Sequence, residues 1–562
     1  MKQLSGADSM FLQLERGNNS MHVASLSIYD PSTAPGGGVR FKDVLRFFAT
    51  RVAQFPQFRR RLVSLPLSLD RPYWIESPTI DVEFHVRHIA LPHPGDWRQL
   101  CIQAARLHSR PLDRSKPLWE AYIIEGLHNV QGVPPGSFAL YTKLHHSIID
   151  GESGTELMKA LHSLTPEPLD LDQEERNAAG IFHADREPTL LELYTRAIMH
   201  NVRRVPTIAR FSLGTARKVV TLGSEALTQY RREGEPGFLQ SVKSLLSGDL
   251  SSLLPRMPPQ TRFSRDVSAH RVVDAVSVPL AEFRRIRQQV PRATINDQFL
   301  CIVGGALRAY LSDKNELPET SMVAMVPMTL RGAQKGGDVG NQVGFTLMPV
   351  HTEIEDALDR LRAVVDSAAT SKRVTDALGR EIARDLLETM PSVIADPLLR
   401  NLQLPRIGLV VSNVRGPDVP LYMAGAQLVN YVPISIAIDG MGLNITGFSY
   451  AGNLWICAVS CREMLPDPAF FADCLRASFE QLKEAALREA AFALVEAEAQ
   501  APTPAELPPA VRPVRIKRKP RAKAKSTPAR RAAPARRSAP VKRAKKRAAP
   551  AAAAADAGDP NA

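Results

Sequence analysis

The sequence predicts a mixed α/β (α+β) fold: two halves of similar size, a helical segment joining them, and a disordered basic tail. Three observations predict it. Runs with strand-like alternation interleave with helical spacing over residues 1–165, and again over 263–494. Between them lie a stretch rich in Pro, Asp and Glu, Thr165 to Pro188, and then a helical connection. From Ala501 onward Pro, Ala, Lys and Arg dominate, a composition that cannot bury enough apolar surface to fold. The resulting partition is 1–185, 186–260, 261–498 and 499–562.

In chain order, Met21 to Tyr29 reads as a strand and Phe41 to Ala53 as a helix. Val82 to Ile89 reads as a second strand and Trp97 to Ser109 as a second helix. Phe138 to His146 alternates again, and Glu152 to Leu164 returns to helical spacing. Thr189 to about Leu254 reads as a basic amphipathic helical strap, with Leu190, Leu191, Tyr194, Ala197 and Ile198 on one face. Pro188 suits its first turn. Packing on the body and contact with an anionic lipid surface are both open to it. In the second half, strands are expected at Arg271–Pro279, Val323–Pro327, Gly344–Val350, Ile407–Ser412, Ile434–Ile438 and Asn444–Tyr450. Helices are expected at Asn296–Leu311 and Ala469–Leu494.

The net charge of +13 is uneven. Residues 512–547 hold 17 Lys and Arg and no Asp or Glu, whereas residues 1–511 have a net charge of −2. The tail segment also lacks aromatic residues, which removes a stacking platform for unpaired bases. What remains is sequence-independent attraction to phosphate, so DNA or another polyanion is the expected ligand, with a solubilising appendage as the alternative. No run of apolar residues is long enough to span a bilayer. The first residues lack the apolar core of a signal peptide, so a cytoplasmic chain is expected. The five cysteines are irregularly spaced, which argues against a disulfide framework. No metal pattern is completed around Cys457 and Cys461 or around His85, His88 and His93.

The most informative stretch is His145-His146-Ser147-Ile148-Ile149-Asp150-Gly151, an HHxxxDG pattern closing an alternating run. Strand side chains alternate between faces. Phe138, Leu140, Thr142, Leu144 and His146 therefore share one mostly apolar face. Ala139, Tyr141, Lys143 and His145 share the other. An imidazole pointing inward at a strand end is placed to act as a general base. A lone histidine there reads more simply as a hydrogen-bonded core residue, and the surrounding motif reverses that reading. Asp150 and Gly151 bring turn chemistry, with Gly151 admitting a tight turn.

Further motifs follow in fixed order. Pro117-Leu118-Trp119-Glu120 lies upstream. Thr294-Ile295-Asn296-Asp297, Gly340-Asn341-Gln342, Ser412-Asn413-Val414-Arg415-Gly416-Pro417 and Gly442-Leu443-Asn444-Ile445 lie downstream. With LSGADSMFL and MHVASLSIYD near the start, the set resembles the bacterial wax ester synthase/diacylglycerol acyltransferase family, from about Leu4 to Glu484. Arg415 departs from the proline common at that place. The resemblance implies two chloramphenicol-acetyltransferase-like domains, as in the wider family of CoA-dependent acyltransferases. It also implies transfer of a fatty acyl group from acyl-CoA, a co-substrate rather than a bound cofactor, to diacylglycerol or a long-chain alcohol. A cytoplasmic enzyme attached peripherally to the inner membrane or to lipid inclusions is expected. The alternative is a lipid-inclusion protein whose basic tail holds DNA.

Under this resemblance His146 is the general base, since an imidazole can accept and return a proton near neutrality. His145 supports the strand end. Asp150 orients His146 or, as the resemblance favours, forms a structural ion pair. Asn296 donates to the oxyanion or positions substrate, unless it caps the helix that follows it. Pro117, Leu118 and Trp119 shape the acyl channel or simply pack the core.

Overall fold

Two six-stranded sheets carry the fold, and one of them draws strands from both halves of the sequence. The structure, a computed structural model, describes residues 1–77, 79–148, 158, 161–167, 185–202, 258–329, 343–378, 392–400 and 405–500. The first half holds β1 (Lys2–Gln3), α1 (Gly6–Leu14), β2 (His22–Asp30), α2 (Phe41–Gln54), β3 (Arg60–Val63), β4 (Tyr73–Glu76), α3 (Val82–His85), β5 (Val86–Ala90), α4 (Trp97–His108), β6 (Trp119–Glu125) and β7 (Phe138–His145). A helix, α5, covers residues 190–202. The second half holds β8 (Arg271–Pro279), α6 (Leu280–Gln289), α7 (Ile295–Asp313), β9 (Val323–Thr329), β10 (Val343–Pro349), α8 (Ala357–Leu378), α9 (Ser392–Arg400), β11 (Leu409–Arg415), β12 (Tyr422–Met423), β13 (Ala426–Ile434), β14 (Leu443–Tyr450), β15 (Asn453–Cys461) and α10 (Pro468–Gln500).

The first sheet runs β12-β13-β2-β7-β6-β5 and the second β10-β9-β11-β14-β15-β8, with a small β1-β4-β3 sheet beside them. Strands β12 and β13 therefore leave their own half: β12 pairs with β13, and β13 with β2, where Tyr431 lies opposite Ser27 and Ile434 opposite Ala24. This corrects the partition read from sequence, because no contiguous cut at 261 contains the first sheet. It also corrects the strand expected at Ile434–Ile438, which lies C-terminal to the real one. The run Ala426–Ile434 was missed because Asn430 and Pro433 interrupt its apolar pattern.

Two other expectations change. Val82–Ile89 splits, because the Asp81 side chain accepts from Phe84 N (3.1 Å) and caps one helical turn before β5 begins. Helix α5 buries Leu193 and Ala197 against Leu65 and Tyr73, while Leu190, Leu191 and Ile198 of the expected face stay exposed. His200 sets that rotation by bonding the buried Asp70 carboxylate at 3.0 Å. Residues 203–257 of the strap, and the tail beyond Gln500, lie outside the described residues.

The first sheet is buried on both faces, α2 covering one and α4 the other. Val44, Phe47 and Phe48 meet Trp119 and Leu140, whereas Leu100 and Ala104 meet Leu26, Ile28 and Tyr141. Helix α4 also packs on β8, and Val273 and Cys457 complete its apolar surroundings. In the second half the middle of α7, residues 299–307, is buried on every side and runs through the core. Among the described residues, no helix is long and apolar enough to cross a membrane.

Candidate active site

The end of β7 delivers the two histidines to different neighbourhoods. His145 is the last strand residue, and His146 begins a short 3-10 turn, His146–Ile148. His146 N donates to Met21 O at 2.8 Å, which pins the turn to the start of β2. The strand faces are those read from the alternation. Leu140, Thr142, Leu144 and His146 line a cavity of about 250 Å³, while His145 turns away from it. The opposite wall comes from the second sheet and its loop, with Ser412, Gly416, Thr446 and Phe448, and β13 adds Tyr431 and Ile434. The cavity thus lies at the seam of the two halves.

The His146 ring stacks on Phe11 of α1, with centroids 4.0 Å apart and planes at 19°. Its remaining accessible surface faces the cavity, yet it lies deep in the protein. Burial lowers its pKa to about 4, assisted by His145 and opposed by a hydrogen bond to its own main-chain carbonyl. That bond ties up one ring nitrogen as donor and orients the ring. At neutral pH the imidazole is therefore uncharged and able to accept a proton.

His145 is held by a different set of groups. Ser147 N lies 3.1 Å and Ser147 Oγ 2.7 Å from its Nδ1. A backbone N–H can only donate, so Nδ1 accepts and the ring proton is on Nε2. That N–H faces Glu15 Oε2 at 3.6 Å. Glu15 also accepts from Arg114 (2.9 and 2.5 Å) and from Met21 N (3.3 Å). Burial alone would raise the Glu15 carboxyl, but His145 and Arg114 outweigh it and hold the pKa at about 2. One short helix, α1, thus supplies the ring under His146 and, at its C-cap, the carboxylate behind His145. The sequence reading missed Phe11, Glu15 and Arg114. Phe11 and Glu15 are four residues apart, one helical turn, but nothing local reveals what that turn faces.

Behind the strand, Lys143 is fully buried and pairs with Glu120 at 3.1 Å while its Nζ also donates to Leu107 O and Arg110 O. His22, opposite His145 in the sheet, donates to His108 O at 2.7 Å. His108 in turn reaches Ser435 O at 3.0 Å. Ser435 is on the cavity wall. At the far end of the cavity Tyr29 OH and His162 Nε2 meet at 2.7 Å.

The other predicted residues do not converge on His146. Trp119 is buried, donates from Nε1 to Phe58 O (2.8 Å) and stacks on His85 (4.4 Å). Leu118 packs with Leu4, Leu12 and Leu112. Pro117, Leu118 and Trp119 are absent from the lining of this cavity. Asn296 does not cap α7, because Thr294 and Asp297 form that capping box. Its side chain is half-buried and also absent from the lining. Helix α7 packs on the side of β14 where Gly447 approaches Phe299. Asp150, Gly151, Asn341 and Gln342 lie outside the described residues. The five cysteines are free and buried, and among the described residues no cluster of His, Cys, Asp or Glu is placed to hold a metal.

Residues 4–299 match the family model for the wax ester synthase/diacylglycerol acyltransferase catalytic domain, and residues 339–483 match the C-terminal domain of the same family. The chain belongs to the wax ester synthase/diacylglycerol acyltransferase family. It is 32% identical over 485 residues to a putative diacylglycerol O-acyltransferase of Mycobacterium tuberculosis, covering 86% of this chain and 99% of the relative. It is 31% identical over 478 residues to O-acyltransferase WSD of Acinetobacter baylyi, covering 83% and 93%. Its fold matches that of the wax ester synthase/diacylglycerol acyltransferase from Marinobacter aquaeolei VT8 with a TM-score of 0.57 at 25% identity, over 86% of this chain and all of that one. It is an acyl-CoA-dependent acyltransferase with two sheet-rich halves, as the motifs implied.

Proposed function

We propose that this acyltransferase moves a fatty acyl group from acyl-CoA to the hydroxyl of diacylglycerol or a long-chain alcohol, with His146 as general base. The observation that carries this is an uncharged imidazole, stacked on Phe11, facing a largely apolar cavity at the seam of the halves. His146 takes the hydroxyl proton as the acceptor oxygen attacks the thioester carbonyl. The tetrahedral oxyanion collapses, the C–S bond breaks, and the leaving thiolate takes the proton back. Negative charge developing beside the ring raises its proton affinity at that moment. His145 is not a second base, because it turns away from the cavity and its Nδ1 accepts from Ser147 N.

The oxyanion needs a donor. The Ser412 hydroxyl faces the cavity and has no hydrogen-bond partner among the described residues, unlike Thr446, which donates to Asn444 Oδ1 at 2.8 Å. We assign the positioning of the oxyanion to Ser412. The acceptor is identified by measuring thiol release from palmitoyl-CoA with dipalmitin and with hexadecanol, and analysing the products. Release without a new ester in either case would overturn the reading.

Water-insoluble acceptors imply peripheral attachment to a membrane or lipid inclusion. High salt should strip the protein from membranes, and retention against both salt and carbonate would contradict an electrostatic attachment. The second reading rests on the composition of residues 512–547. Removing residues 503–562 should spare acyl transfer and abolish a gel shift on random duplex DNA at low salt, and a full-length chain without a shift would sink it.

A further inference from the structure

The strands under the catalytic cavity change character with distance from His146. On β2 the residues facing it are Val23, Ser25, Ser27 and Tyr29, and on β7 Thr142 and Leu140 follow His146 and Leu144. His146 stands at the Val23 end, where its N donates to Met21 O. Ser25 lies opposite Thr142 in the ladder, and Tyr29 lies opposite Phe138. Short side chains thus floor the middle of the cavity, and both strands then raise an aromatic ring at the same register. Val23 and Tyr29 are six residues apart, so the floor runs for about 20 Å along the sheet. A cavity of about 250 Å³ drawn out over that length is a slot for one hydrocarbon chain rather than a chamber.

The aromatic end is rigid. The Tyr29 ring stacks on Phe138, with centroids 5.4 Å apart and planes at 17°, and on His162, at 5.9 Å and 19°. Its backbone pairs with β7 on one side and with Leu428 of β13 on the other, so it cannot yield without breaking both ladders. His162 Nδ1 lies 2.7 Å from Met158 O. A carbonyl only accepts, so Nδ1 carries the ring proton and Nε2 is bare. Tyr29 OH donates to that Nε2 at 2.7 Å, and the Ser27 hydroxyl donates to the phenol oxygen. Burial lowers the His162 pKa to about 4, so the ring is uncharged at neutral pH. Every polar proton of Ser27, Tyr29 and His162 is therefore engaged within this chain or on Met158 O. What the end offers an occupant is ring surface, which suits a methyl terminus and solvates no polar or charged group.

We propose that Tyr29 and His162, backed by Phe138, are the specificity-determining stop of this enzyme: they fix the greatest length of the saturated chain that lies along β2 and β7 with its reacting end at His146. The inference rests on the acyl-transfer reading above and names the residues that select among its substrates. One leaflet of a bilayer's hydrocarbon core is about 15 Å thick. About 20 Å of floor therefore takes a chain of membrane-lipid length and halts a longer one. A chain too long by a few methylenes has to displace packed rings, which a close-packed interior resists. The chain is the tail of either the acyl group or the alcohol, and the two arms of the test separate these.

His162→Ala and Tyr29→Ala each remove one ring of the stop, whereas Tyr29→Phe keeps the ring and removes the hydroxyl. Ser27→Leu is the converse change, an obstacle two residues, about 7 Å, nearer His146. One arm pairs acyl-CoAs from lauroyl to behenoyl with hexadecanol. The other pairs palmitoyl-CoA with alcohols from dodecanol to docosanol. In one arm the longest chain turned over should lengthen in both Ala variants, stay in place in Tyr29→Phe and shorten in Ser27→Leu. The ratio of kcat/KM for the longest chain to that for the sixteen-carbon chain should rise by about tenfold or more in the Ala variants, the scale of a methylene's fit in an apolar pocket.

Length profiles unchanged in both arms overturn the proposal. Equal losses at every chain length overturn it too, since a purely structural role gives that result. Ser27→Leu adds volume to an open slot, so it keeps the test decisive if the truncations fail to fold. Thermal shifts by the same acyl-CoAs and alcohols need no turnover and should show the same order. That order without ester formation would fault the acyl-transfer reading and leave the stop standing.

Discussion

Replacing Glu15 with Gln tests whether the carboxylate behind the histidine pair holds the site together. Glutamine keeps the shape of the protonated acid and removes its charge. The folded protein holds this carboxyl at about 2, against an ordinary value near 4.3, so ionisation in the folded state is worth about 3 kcal/mol. The expected loss is about 2–3 kcal/mol at pH 7. The sign follows from the depressed pKa. Stabilisation is complete above the unfolded value and fades as pH falls from about 4.3 toward about 2, so by pH 3.5 the penalty should shrink to about 1–2 kcal/mol. Urea unfolding of wild type and Glu15→Gln at pH 7 and pH 3.5 measures both figures. No penalty at pH 7, or the same penalty at both, refutes the reasoning. Activity adds a second check: kcat should fall more than KM rises, because Glu15 acts through His145 and Ser147 on the turn that carries His146.

Because burial lowers the His146 pKa to about 4, kcat/KM should stay level down to about pH 5 and fall as pH drops through about 4. An inflection near 6.5, the ordinary histidine value, would show the ring exposed to water in the working enzyme. Ser412→Ala should lower kcat by roughly 10²-fold, the scale of one lost oxyanion donor, with KM for palmitoyl-CoA nearly unchanged. A normal kcat rejects that assignment. Gly304→Ala should destabilise the protein by at least about 2 kcal/mol, because an added Cβ would overlap the Val350 carbonyl oxygen in the second core. A melting temperature equal to wild type would mean that α7 can shift to accommodate it.

Much of the fold was legible because period-two and helical spacing survive wherever one side of an element is buried. Arg271–Pro279 was read to the residue, and the helices at Phe41 and Trp97 to within one. The faces of β7 were legible for the same reason, which is why His146 was placed correctly on the cavity side and His145 behind it. The crossing of β13 into the first sheet was not, because strand partners are set by packing between residues hundreds apart. Pro433 also removes an N–H from a strand that the alternation would otherwise mark. Leu118 and Trp119 stand at motif positions, but alternation cannot say which core a buried side chain joins. Glu15 and Arg114 are 99 residues apart and became partners only through the docking of α1 on the end of β7.

The central claim is that one histidine performs the proton transfer. Palmitoyl transfer to dipalmitin and to hexadecanol, followed as CoA release for wild type, His146→Ala and His145→Ala with circular dichroism as the check on folding, tests it most directly. The account predicts a loss of at least about 10²-fold for His146→Ala in folded protein, the scale of a missing general base, and a smaller loss for His145→Ala. Activity of folded His146→Ala within about tenfold of wild type, or a larger loss from His145→Ala, would contradict it.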